Sequence, residues 1–118
     1  MIILKSHLFN QYPEITFGFS TKSGPGEAPY FFNLSLSVGD DPEKVLERRN
    51  NFFEALCIKH IAYQKQVHGN TVKYVDHGGY AGESDAMITD KPGLGLLISA
   101  ADCTSIYIYE KNKKIIAG

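Results

Sequence analysis

Two residues with reactive side chains stand in surroundings that suit chemistry. His68 lies in Gln66-Val67-His68-Gly69-Asn70, between two strand signals, where a tight turn presents an imidazole at a sheet's edge. Cys103 follows an apolar run and the small residues Ser99-Ala100-Ala101, with Asp102 beside it, and small residues let a backbone or a ligand come close. An imidazole and a thiolate can hold a borderline-soft metal ion, or they can work as base and nucleophile. Each also has an ordinary reading, as a surface or capping histidine and as a buried, inert cysteine. Positions 68 and 103 alone form no zinc-ligand spacing, and structural zinc takes four protein ligands. His60, at the end of a helical stretch, and His77, in Asp76-His77-Gly78-Gly79, are candidates for a third ligand, although both read as exposed turn residues.

Asp85, in Glu83-Ser84-Asp85-Ala86, precedes a short apolar step. Its carboxylate could position a substrate hydroxyl or a ligand histidine, or simply close a turn. Ser20 and Thr21 follow the strand signal Ile15-Thr16-Phe17-Gly18-Phe19 and so stand at a strand's end, where ligand-facing residues often sit. Arg49 is conspicuous for a different reason. Val45, Arg49, Phe52, Phe53 and Leu56 fall at the spacing of a helix's core-facing stripe, with the arginine in its middle. An unpaired buried guanidinium is too costly to keep, so Arg49 must snorkel, form an internal salt bridge or meet an anion.

The elements that must carry these residues are legible. Asp40-Asp41-Pro42-Glu43 combines an Asp N-cap, a Pro in the first helical turn and an early acid, which predicts a helix running to Leu56 or Cys57. A Gly- and Pro-containing turn or loop, Ser23-Gly24-Pro25-Gly26, precedes it. Strands are expected around residues 62–67 and 71–75, over the apolar run 94–99, and over 105–109 with its Ile106/Ile108 alternation, while 114–117 reads as the start of another. One clear helix with several strands and no repeated strand-helix-strand unit predicts an α+β fold rather than a doubly wound sheet. The whole chain, 1–118, is expected to form a single domain, since 43% hydrophobic residues suffice for a core.

Composition removes several function classes. Twelve Lys and Arg against thirteen Asp and Glu give a formal net charge of -1 without a block of like charges, so no nucleic-acid or anionic-membrane footprint is visible. No apolar run reaches the roughly 20 residues of a membrane helix, and the opening Met-Ile-Ile-Leu-Lys is too short for a signal-peptide core. The expectation is a soluble, cytoplasmic protein with Cys57 and Cys103 as separate thiols. No P-loop, GxGxxG, GxSxG, HExxH or CxxC phrase occurs.

Five phrases taken together carry a resemblance: Phe17-Gly18-Phe19-Ser20-Thr21; Asn33-Leu34-Ser35 with Val38-Gly39-Asp40-Asp41-Pro42; Gln66-Val67-His68-Gly69; Ser84-Asp85-Ala86; and Ala101-Asp102-Cys103. In this order they resemble the laccase-domain family, long labelled multicopper polyphenol oxidases and now regarded as purine nucleoside phosphorylases. The resemblance implies a mixed sheet with flanking helices, of cysteine-hydrolase-like fold. It implies phosphorolysis of adenosine, inosine or guanosine, with adenosine deamination as a further activity, so the expected partners are a purine nucleoside and phosphate. It also implies zinc, held in the family by the His of QVHG, the Cys of ADC and a histidine of a later HAGWRG phrase.

The first two of those ligands carry over to His68 and Cys103. The third has no counterpart, because the sequence ends at Ile115-Ile116-Ala117-Gly118 where that phrase is expected, so the chain is expected to be an N-terminal portion of a family member. The resemblance further implies a phosphate-facing Arg49, and substrate contacts from Ser20, Asn33 and Asp85. The family's Asn-Arg pair is Arg48-Arg49 here, and the proline of ADC-x-P is replaced by Ser105. Two alternatives stand beside this reading. A copper-dependent polyphenol oxidase suits an imidazole and a thiolate but needs more than the four histidines present. A metal-free cysteine hydrolase would use Cys103 as nucleophile and His68 as base.

Overall fold

The computed structural model describes residues 1–118, which divide into two compact units, Met1–Cys57 and Ile58–Gly118. The first unit opens with a two-residue strand β1 (Ile3–Leu4) and a 3-10 turn at Phe9–Gln11. β1 pairs antiparallel with β2 (Phe19–Ser20). The strand expected over 15–19 is therefore confined to its end, and Ser20 closes it, as the sequence led us to expect. Helix α1 (Pro42–Ala55) follows, its free N-terminus capped by Asp41, whose Oδ1 accepts the Glu43 N–H at 3.0 Å. At the other end Cys57 takes a left-handed φ of 56°, a place usually held by glycine, and donates its N–H to the Glu54 carbonyl at 3.0 Å.

The stripe read from the sequence is buried at Val45, Arg49, Phe52 and Leu56, and Phe32 adds to the same unit's core. Arg48 is buried too, at 7% exposure, because 45, 48 and 52 form a second row on the same helix face. The flanking helices expected of the fold reduce to this one α-helix and the short 3-10 turn.

The second unit contains seven strands: β3 (His60–Lys65), β4 (Val72–Tyr74), β5 (Gly79–Glu83), β6 (Ala86–Thr89), β7 (Leu94–Leu97), β8 (Ile108–Glu110) and β9 (Ile115–Ala117). They form two sheets, one ordered β5-β3-β7 and all parallel, the other ordered β4-β6-β9-β8 and mixed. Parallel neighbours need a connection of a dozen or more residues, usually a helix. Here successive strands from β3 to β8 alternate between the sheets, so that β4 is the crossover from β3 to β5 and β6 the crossover from β5 to β7. That is how parallel pairing arises with no helix in the unit, and the α+β expectation holds.

Side chains between the two sheets make the core. Ala62, Val75, Met87 and Leu94 are buried, with Ala81, Leu96 and Ile98 packed against them. Met87 is fully buried, and its N–H and carbonyl bond both ways with Gly118, at 2.8 and 3.0 Å. The expected strands at 62–67, 71–75, 94–99, 105–109 and 114–117 are all present, with bounds shifted by a few residues, whereas β5 and β6 have no counterpart among them. β5 (Gly-Tyr-Ala-Gly-Glu) contains two glycines, and that composition reads as a turn.

Candidate functional site at the carboxyl edge of the parallel sheet

The register of the three-stranded sheet decides where its loops leave. β3 and β7 are parallel with Tyr63 opposite Leu97, and β3 and β5 are parallel with Lys65 opposite Glu83. All three strands consequently end at one edge, the edge from which ligand-binding loops of parallel sheets characteristically emerge. His68 lies just past Lys65, Asp85 just past Glu83, and Cys103 in the longer connection after Leu97. Residues from three separate sequence phrases thus share one edge.

His60 and His77 do not. His60 is the first residue of β3, and with a rise of about 3.3 Å per residue it stands roughly 16 Å from that strand's last residue. His77 precedes β5, again at the amino edge, where its Nδ1 lies 2.7 Å from Asp76 Oδ1 at the exposed surface. The sheet therefore separates both from His68 as metal ligands. Cys103 is exposed, which removes the reading of a buried, inert thiol, and Cys57 and Cys103 are both free.

His68 has a φ of 57°, an unusual left-handed conformation for a residue with a Cβ. The turn that imposes it is built around Asp85. One carboxylate oxygen of Asp85 accepts the Val67 N–H at 3.3 Å and the other accepts the Thr71 N–H at 3.4 Å. The Asp85 and Ala86 N–H groups donate in return to the Thr71 carbonyl, at 2.9 and 3.2 Å. Gly69 lies so close that a Cβ there would sit 3.1 Å from the Asp85 carboxylate. Burial alone would raise the pKa of Asp85, but the backbone N–H groups of Gly69, Thr71, Val67 and His68 outweigh it and hold the carboxyl below its ordinary value. Next to it the buried Ser84 donates its N–H to the Lys65 carbonyl at 3.1 Å and its hydroxyl to the Gln64 side chain, fastening the ends of β3 and β5 together.

In the first unit the other expected site residues take part in a network of their own. Arg49 is 7% exposed and donates from Nε to the Leu34 carbonyl at 2.7 Å. Asn33 donates its side-chain amide to the Ser35 carbonyl at 2.9 Å and to Asp40 Oδ2 at 3.1 Å, and its Oδ1 accepts the Ser35 N–H at 2.9 Å. Its amide is therefore occupied in shaping the 33–40 loop. Ser20 is half-buried at the end of β2, where its backbone faces Ile3. Sequence reasoning passed over Arg48, whose guanidinium donates to Asp40 Oδ2. The signal available was the i, i+3, i+7 row of Val45, Arg48 and Phe52, with an aspartate at the helix's entrance.

Zinc in a catalytic site takes three protein ligands and keeps one position open. Nowhere in the chain do three or more His, Cys, Asp or Glu side chains converge as a metal-holding group. The donors of the laccase-type pattern, His68 and Cys103, fall one short, so these residues alone do not fit a catalytic zinc ion.

Residues 16–118 match the family model described as multi-copper polyphenol oxidoreductase laccase, and the chain belongs to this laccase-domain family. Among its relatives is a purine nucleoside phosphorylase of Corynebacterium glutamicum, 33% identical over 107 residues, which cover 84% of this chain and 44% of that protein. A purine nucleoside phosphorylase of Streptomyces griseus is 36% identical over 93 residues, 72% of this chain and 37% of that protein. One of Clostridium acetobutylicum is 30% identical over 86 residues, 73% of this chain and 34% of that protein. The chain thus spans less than half the length of these relatives. No helix is long and apolar enough to cross a membrane.

Proposed function

We propose that this chain carries the His/Cys part of a purine nucleoside phosphorylase active site, with His68, Asp85 and Cys103 at its centre. The observation that carries the reading is the single sheet edge from which their three loops leave. In the reaction a phosphate oxygen forms a bond to the anomeric carbon of inosine, adenosine or guanosine. The bond from that carbon to the purine nitrogen breaks, and its electron pair leaves with the base, which takes up a proton. Charge builds on the departing base as the bond stretches, so a proton donor or hydrogen-bond donor placed at the base accelerates the step. His68 is assigned that role, with the Cys103 thiol lining the same edge.

Arg49 is assigned to phosphate, because it matches the family's arginine and a guanidinium presents paired donors to phosphate oxygens. Arg49→Lys is expected to raise KM for phosphate more than KM for nucleoside. Only with a third ligand would His68 and Cys103 hold zinc, and an ion so held would supply activated water for adenosine deamination.

The test is phosphate-dependent release of hypoxanthine from inosine by the complete gene product. Release should vanish without phosphate and fall about 10²–10⁴-fold, to a residual rate that can still be measured, in both His68→Asn and Cys103→Ala. Full activity in His68→Asn would overturn the assignment. The exposure of Cys103 favours one second reading, a metal-free cysteine hydrolase with His68 as base. That reading requires alkylation of Cys103 to abolish a hydrolysis that proceeds without phosphate.

A further inference from the structure

The conformation of the His68 turn does not follow from its own residues. His68 is held at a φ of 57°, a left-handed conformation that crowds the Cβ against the following carbonyl and is disfavoured relative to the right-handed form. Such a conformation persists only where the surroundings over-determine it. The surroundings here are the start of β6, where Asp85 supplies the side chain and Asp85 and Ala86 the backbone N–H groups that bind the turn. Asp85 reaches across from the end of β5, takes the Val67 N–H before the histidine and the Thr71 N–H after it, and returns its own N–H to the Thr71 carbonyl. A ring of backbone N–H groups of this kind is an anion-binding concavity, and the carboxylate is the anion that fills it. Gly69 leaves room for it, since any side chain at that position would press on the carboxylate at 3.1 Å.

We propose that Asp85 is the positioning residue for His68: by accepting backbone N–H groups on both sides of it, the carboxylate holds the 67–71 turn in the conformation that presents the imidazole at the carboxyl edge of the parallel sheet. Asp85 then acts through His68, a role beside the substrate contact expected from its sequence phrase. The catalytic half of this inference rests on the phosphorylase reading, whereas the structural half stands without it.

Amide exchange and histidine ring spectra of the wild-type, Asp85→Asn and Asp85→Ala proteins test the structural half. In Asp85→Ala the Val67, Gly69 and Thr71 amides should exchange at least about tenfold faster, the cost of losing roughly 1.4 kcal/mol of local protection. The His68 ring signals should shift, with those of His60 and His77 unmoved and the amide of Ala62 in β3 as protected as before. Asp85→Asn keeps one acceptor and should fall between. Turn amides and His68 signals that stay unchanged in Asp85→Ala would overturn the proposal.

The catalytic half is read from a double-mutant cycle. Asp85→Ala should lower kcat for phosphorolysis about 10–100-fold in the wild-type background. In a His68→Asn background it should cost nothing further, since the residue it positions is gone. An undiminished kcat, or an equal loss in both backgrounds, would refute positioning through His68. Absence of phosphorolysis in the wild type together with faster turn exchange in Asp85→Ala would instead reject the phosphorylase reading and leave the Asp85 turn standing.

Discussion

The Arg48 guanidinium meets Asp40 Oδ2 at 2.5 Å, with both side chains almost wholly removed from water, at 9% and 4% exposure. This pair joins the entrance of α1 to its second turn and ties both to the loop before the helix, because Arg48 also donates to the Asn33 carbonyl at 3.4 Å. Burial pushes the Asp40 pKa up, but the bonds from Arg48, Asn33 and the Asp41 N–H, with the charge of Arg48, push it down further, so it lies below 3.8.

Asp40 should therefore contribute to acid unfolding of the first unit. A carboxyl whose folded pKa is depressed contributes stability that is fully present above its ordinary value of 3.8 and is lost as pH falls through the lowered value. Asp40→Asn leaves Arg48 as a buried charge without its carboxylate. It should lower the thermal midpoint at pH 7 and flatten the decline between neutral pH and about pH 3. Thermal melts by circular dichroism across that range check it, and parallel wild-type and mutant curves would refute it.

Tyr74 offers an alkaline counterpart. Its hydroxyl donates to Asp90 Oδ1 at 2.6 Å, and this bond, with desolvation and the charges of Asp90 and Asp76, raises its pKa from 10.0 to about 12. A group whose folded pKa is raised contributes stability fully present below 10.0 and lost as pH rises through about 12. Ultraviolet titration of the tyrosinates should show a late component from Tyr74, and Asp90→Asn should move it towards 10.0.

The small core of the second unit makes Met87 a sensitive position. It is fully buried between the sheets among Ala62, Val75 and Leu94. Met87→Ala should cost about 2–5 kcal/mol, a large part of a small domain's stability, while Met87→Leu should cost less than about 1.5. Urea unfolding provides the comparison, and a loss under about 1 kcal/mol for the alanine variant would contradict the packing described.

Gly26 tests the backbone of the first unit. Its φ is 144°, and a Cβ there would lie 2.0 Å from the Phe31 carbonyl oxygen, a backbone atom that cannot swing aside. Gly26→Ala should destabilise by more than the roughly 1 kcal/mol that a tolerated glycine replacement could add in stability. Gly93→Ala, with open space around it but a positive φ of 80°, is the milder control.

The helix was legible in the sequence because its signals are local. Asp41 caps it, Pro42 opens it and the apolar stripe gives its face, all within one stretch of chain. His68, Asp85 and Cys103 were legible as residue types, and positioning a histidine or closing a turn stood among the readings of Asp85, but the choice between them was not legible, because its partners are backbone N–H groups that belong to another loop. Arg48 escaped for a related reason: beside Arg49 it reads as one more surface cation, and only its proximity to Asp40 makes burial affordable. β5 was missed because a glycine-bearing strand acquires its conformation from its neighbour, here β3, rather than from its own propensity, and β6 because four residues, Ala-Met-Ile-Thr, are too short a run to show a period.

Alternation of the strands between two sheets has a consequence for how the second unit comes into being. β3 cannot complete its pairing with β7 until the chain has passed through β4, β5 and β6, and β6 waits for β9 in the same way. Its contact order is high, so loop-closure entropy is spent before any parallel ladder rewards it, and folding belongs to the slower, millisecond-to-second class of small domains. Only the β8–β9 hairpin joins strands adjacent in sequence, and every other ladder of the unit closes across at least one strand of the other sheet. The loops bearing His68, Asp85 and Cys103 accordingly share their edge only once β7 has joined β3, and a chain cut between β5 and β6 would leave both sheets unfinished at once.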